Sequence, residues 1–175
     1  MASTHLVLTV IARDQPGVVE ALSQAVAEQE ANWLGSRMAR LAGEFAGIVE
    51  VSVPTDNAAA LRDALTALEA RGLRVLIQES IRRTDSGAGW RRLHLELVGN
   101  DRPGIVREIS QALARRGVNV DELETSCESA AMSGDALFRA TADLDVPEGL
   151  TLESLGEELE KIAADLMVDL TLAGR

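Results

Sequence analysis

The chain has 175 residues, 46% of them hydrophobic and 26% charged, the composition of an ordinary folded protein rather than a disordered one. No apolar run approaches the ~20 residues that span a bilayer, and the N-terminus shows no secretory signal, so a cytoplasmic protein without a membrane partner is expected. The net charge of −11 argues against direct nucleic-acid binding, which draws most of its affinity from Lys and Arg on phosphates. The charge is uneven: −2 over residues 1–83 and −9 over residues 84–175. An acidic surface of this kind suits a basic protein partner, or serves solubility alone.

Several chemistries lack their residues. The chain has His5, His94 and a single cysteine, Cys127, with no tyrosine and no C-x-x-C or H-E-x-x-H spacing. Three or four zinc ligands can hardly be assembled from that set. Cys127 has no motif around it, and neither a G-x-S-x-G elbow nor a phosphate-binding loop is present. Neither an enzyme nor a metal or other cofactor is expected.

A repeat organises the chain. Asp14-Gln15-Pro16-Gly17-Val18-Val19 recurs 87 residues later as Asp101-Arg102-Pro103-Gly104-Ile105-Val106, and 11 of the 28 positions from His5 to Asn32 match without a gap. This predicts two copies of one small domain, residues 1–83 and 91–175, joined by a Ser/Gly-containing linker over residues 84–90.

Each copy reads in chain order as strand, helix, strand, strand, helix, strand. Leu6, Leu8 and Val10 alternate as in a strand, and the Asp-x-Pro-Gly turn ends it. Val18, Val19, Leu22 and Val26 recur at helical spacing, as do Ile105, Val106, Ile109 and Leu113. Gly117 stands where a helix C-cap belongs. Strands over 32–41 and 44–53 flank an Ala42-Gly43 turn. In the second copy, strands over 118–128 and 135–146 flank a longer loop over 129–134. A helix follows Pro54-Thr55-Asp56 with Leu61, Leu65 and Leu68 on one face; its counterpart carries Leu152, Leu155, Leu159 and Ile162. The last strands are expected over 73–81 and 166–172. The βαββαβ order predicts an α+β, ferredoxin-like unit with both helices on one face of an antiparallel sheet. So small a core leaves the other face in need of cover, and the first strand, apolar on both sides, predicts a covered outer face and a homo-oligomer.

The repeated loop has the chemistry of an amino-acid site. The amides of Gly17 and Val18, and of Gly104 and Ile105, open helices and favour a carboxylate. Asp14 and Asp101 could accept from an ammonium, and Asn32 and Asn119 offer a donor and an acceptor. The same residues have structural readings: the aspartates as helix caps, the glycines as points of close packing, the asparagines as left-handed turn residues.

With Asp-Arg-Pro-Gly-Ile-Val closing the first strand and Asn119-Val120 opening the second, the unit resembles the ACT domain, a regulatory module that senses amino acids. That resemblance implies ligand contacts at Asp101 and Asn119. The histidine that serine-sensing relatives carry two positions before the loop is Ala12 and Gly99 here, which counts against serine. Two such units, with Asn32-Trp33-Leu34-Gly35-Ser36-Arg37 in the first, are similar to the tandem ACT repressors of the glycine cleavage system. That similarity implies glycine as effector and a transcription activator protein as partner. Two further readings stand beside it. One is an oligomerisation or interaction module that senses nothing. The other is a detached regulatory relative of ACT-containing enzymes such as formyltetrahydrofolate deformylase and phosphoserine phosphatase, whose chains continue into catalytic domains where this one repeats.

Overall fold

The computed structural model describes residues 2–80, 89–129 and 136–174. The chain divides into two compact units, Met1–Thr84 and Asp85–Arg175. Unit 1 runs β1 (Ser3–Arg13), α1 (Val18–Glu28), β2 (Asn32–Leu41), β3 (Glu44–Pro54), α2 (Ala58–Ala67) and β4 (Leu73–Glu79), with 3-10 turns at Thr55–Asn57 and Leu68–Arg71. Unit 2 runs β5 (Trp90–Asn100), α3 (Ile105–Arg115), β6 (Asn119–Ser129), β7 (Ala136–Pro147), α4 (Leu152–Leu166) and β8 (Val168–Gly174). The sheets have the orders β2-β3-β1-β4 and β6-β7-β5-β8, with all neighbours antiparallel. These are two ferredoxin-like βαββαβ units.

Alternation puts one face of each sheet under the helices. Leu6, Leu8 and Val10 of β1 and Val49, Val51 and Val53 of β3 meet Leu22, Leu61 and Leu65 in the first core. Leu93, Leu95, Leu97 and Leu144 meet Ile109, Leu155 and Leu159 in the second. Each fully buried aliphatic side chain contributes about 1.5–3 kcal/mol, and the leucines of each core outweigh any polar contact at its surface.

Some boundaries move. Leu166, expected to open the last strand, is the buried last residue of α4. Met167 reverses the chain at φ 53, a left-handed position that the apolar pattern does not announce. Thr151 caps α4, its hydroxyl accepting from the Ser154 amide at 3.2 Å. Of the expected linker, residues 84–88 lie outside the described residues, and Trp90 already pairs with Pro147 as the first residue of β5. Of the longer hairpin loop, residues 130–134 also lie outside them, and Ser129 belongs to β6. Both copies shift register at the same place in the second strand, between Trp33 and Gly35 and between Val120 and Glu122. A residue skipped in the ladder is set by pairing with the next strand and leaves no mark in the sequence.

Candidate functional site

The loop between the first strand and the first helix is built alike in both units. The Asp14 amide donates to the Gly43 carbonyl at 3.0 Å, and the Asp101 amide to the Ala136 carbonyl at 2.8 Å, tying each loop to the far end of its hairpin. The helix then begins at a glycine in the left-handed region, Gly17 at φ 93 and Gly104 at φ 105. A Cβ there would meet nothing closer than 3.6 Å at Gly17 and 3.4 Å at Gly104, both carboxylate oxygens of nearby glutamates. Backbone conformation, not close packing, therefore requires these glycines. Neither helix has a side-chain cap at its first turn, so Asp14 and Asp101 are not capping residues. Val18 and Ile105 bury their side chains and turn their first-turn amides toward the loop, where helix geometry provides no partner.

The two carboxylates differ in their neighbours. Asp14 is ion-paired to Arg40 of β2 at 3.2 Å. The position equivalent to Arg40 is Cys127 of β6: each pairs with a phenylalanine, Arg40 with Phe45 and Cys127 with Phe138. The Cys127 thiol is raised above its ordinary value by desolvation, and by the hydrogen bond and charge of Asp101 beside it. It stays a neutral thiol near pH 7. Among the described residues no arginine or lysine pairs with Asp101. Arg102 instead donates to the Asp165 carbonyl at 2.8 Å, pinning the loop to the C-terminal end of α4. The second loop thus presents an uncompensated carboxylate beside helix-opening amides, and the first a compensated one.

The asparagines do not join these clusters within one unit. Asn32 pairs with Ser52, which pairs with His5, whereas Asp14 follows Arg13 at the other end of β1. Eight residues of strand put them about 27 Å apart. Asn119 stands in the same way with Asp145 and Arg92, at the end of the sheet away from Asp101. Ser52 and Asp145 lie between core-facing neighbours, so their partners Asn32 and Asn119 share the sheet face opposite the helices. Both are strand residues, and neither is among the residues of positive φ. The expected four-residue site is therefore split within each copy into a loop set of three and a distant asparagine.

Models of the ACT domain match residues 4–77 and 94–164. The chain belongs to the ACT domain family. Over 99% of both chains it is similar to a crystal structure of an unknown protein from Galdieria sulphuraria, at 29% identity and a TM-score of 0.85. Over 98% of this chain and 97% of the other it is similar to a structure provisionally identified as a glycine cleavage system transcriptional repressor, at 22% identity and a TM-score of 0.72. The second likeness is one of fold. No curated protein matches the chain.

Strand pairing within each ACT unit explains two sequence departures. Gly99 of the second ACT unit pairs with Val168, and a Cβ at Gly99 would lie 2.5 Å from Val168 Cγ1 and 2.8 Å from its Cα. The last strand fills the corner that a histidine would need. In the first unit Ala12 faces Leu73 there, and both are buried. His94 hydrogen-bonds Asp143 at 2.8 Å and lies 3.5 Å from Glu96, on the open face of the sheet and away from the loop. No helix among the described residues is long and apolar enough to cross a membrane.

Cys127 reports on the loop. Its raised thiol should alkylate more slowly at pH 8 than a free cysteine, because less of it is thiolate. Asp101→Asn removes the charge that helps to hold the proton and should speed the reaction. Iodoacetamide labelling followed by mass spectrometry measures both rates; equal rates in the two proteins would show that Asp101 does not act on the thiol.

Proposed function

We propose that the protein is an amino-acid-responsive regulator of the glycine cleavage repressor type, acting on transcription through a protein partner and not as an enzyme. The observation that carries this reading is the Asp101 loop. It is an exposed carboxylate that, among the described residues, faces a neutral thiol and no cation, next to the opening amides of α3 at Gly104 and Ile105. A zwitterion is the ligand such a pair fits, its ammonium on Asp101 and its carboxylate on the amides. Glycine is the effector that the family resemblance suggests. Because Asn119 and Asn32 each lie at the end of their own sheet away from its loop, an asparagine reaches this ligand only from another ACT unit, and we assign assembly as a dimer or higher oligomer in the cytoplasm. The net charge of −11 supports a protein partner, a transcription activator, over direct contact with DNA.

One observation favours a second reading for the first unit. Asp14 is already neutralised by Arg40, so that loop suits an ACT unit that only assembles. A melting-temperature screen of the full chain against the twenty amino acids tests the sensing reading. A rise with one small amino acid is expected. No rise at millimolar concentration would leave the interaction-module reading. A gel retardation assay at low salt is expected to show no DNA shift with the protein alone, and a shift would overturn the partner assignment.

A further inference from the structure

The two sheets expose different open faces. Across the middle of unit 1 the outward row is Arg37–Ile48–Thr9–Leu76; the row at the same place in unit 2 is Glu124–Thr141–Glu96–Thr171. The adjoining rows are Ala39–Ala46–Ile11–Arg74 and Ser126–Arg139–Val98–Asp169. Repetition of one fold thus places aliphatic side chains on one sheet where the other carries acids and threonines. Ile48 is 50% exposed and Leu76 61%, with Ile11 beside them at 37%. Solvated sheet faces ordinarily alternate to polar residues, and a contiguous aliphatic strip marks a covered surface.

We propose that the open face of the unit 1 sheet is a homodimer interface, packing against the same face of a second copy of this chain. Charge favours that occupant. The face carries Arg13, Arg37 and Arg74 against Glu44 and Glu50, so two copies present both signs to each other. The unit 2 face, whose acids include Glu96, Glu124, Asp143 and Asp169 against Arg92 and Arg139, would repel itself and would set an excess of carboxylates against an aliphatic strip. The area suffices. Four strands at the usual spacing, over seven residues, make a face about 19 Å by 23 Å. The two faces together remove about 900 Å² of flat area, and side-chain relief brings this to the lower range of specific interfaces. The proposal rests on the assembly reading above and adds where assembly occurs.

Analytical ultracentrifugation of the full chain tests it. The wild type should sediment as a dimer. Ile48→Glu, which sets a carboxylate in the aliphatic row, should weaken the dimer at least 100-fold, and Leu76→Ser at least several-fold. Thr141→Glu, at the matching place on unit 2, should leave it unchanged. A nitroxide at Thr9→Cys in a Cys127→Ser background should give one short inter-spin distance, under about 30 Å, because facing sheets lie about 10 Å apart. A monomeric wild type overturns both this proposal and the assembly reading. A dimer that survives Ile48→Glu, or that shows no short distance at Thr9, overturns the interface alone. A dimer broken instead by Glu124→Lys assigns the acidic face as the occupant and also overturns it.

Discussion

Gly99→His is expected to destabilise the second unit by about 3 kcal/mol while leaving the first unit's unfolding transition in place. The clash is with the backbone and branch point of Val168, directly across the β5–β8 ladder, and not with the tip of a flexible side chain. Overpacking of this kind costs about 1–3 kcal/mol even for added methylenes, and an imidazole adds a polar ring to a corner filled by Val168. The cost is large against the few kcal/mol by which so small a unit is stable. Each unit has its own tryptophan, Trp33 in the first and Trp90 in the second, so Trp33→Phe and Trp90→Phe backgrounds report the two transitions separately. A denaturant midpoint unchanged for the Trp90 signal would show that β8 yields at this corner and that the departure from histidine has no packing cause.

Asp101→Ala should abolish the ligand-induced stabilisation of the protein while changing the stability of the free protein by less than about 0.5 kcal/mol. The side chain is exposed and caps no helix, so the fold does not depend on it. A ligand at 100 times its Kd stabilises by about 2.7 kcal/mol, and the loss of that shift is readily read in a melting curve. Asp14→Ala should leave the shift intact, because Arg40 already holds that carboxylate. The exchange of neighbours gives the stricter prediction. Cys127→Arg reproduces in the second unit the pairing of the first, neutralises Asp101 and should quench binding without removing the carboxylate. If Cys127→Arg bound as well as the wild type, the contrast between the loops would not explain selectivity.

The fold was legible because its signals are local. The Asp-x-Pro-Gly turn, the helical spacing of Val18, Leu22 and Val26, and the Ala42-Gly43 turn each depend on neighbours in sequence, and the repeat stated them twice. β2 begins and ends where the sequence places it. The chain reversal at Met167 was not legible, since a non-glycine in the left-handed region there is held by packing of α4 against β8. The site was legible in part. Its loop could be read from Pro and Gly, but the partners of Asp14 and Asp101 arrive from the second strand, 26 residues away in each copy, through a register that includes a skipped residue. The separation of each asparagine from the loop of its own unit was not legible for the same reason: adjacency of elements in the chain says nothing of which end of a strand faces the loop, and antiparallel order sends Asn32 and Asn119 to the far one. The structural alternatives for the aspartates and glycines also fail on geometry that sequence cannot supply, namely the φ of Gly17 and Gly104 and the absence of a side-chain cap.

Isothermal titration calorimetry of the wild type and of Asp101→Ala with the amino acid found by the melting screen, beginning with glycine, tests the sensing claim most directly. The account predicts saturable binding to the wild type, with one ligand per chain, and none to Asp101→Ala. Binding of equal strength to both proteins, or no heat from the wild type with any amino acid at millimolar concentration, would contradict it.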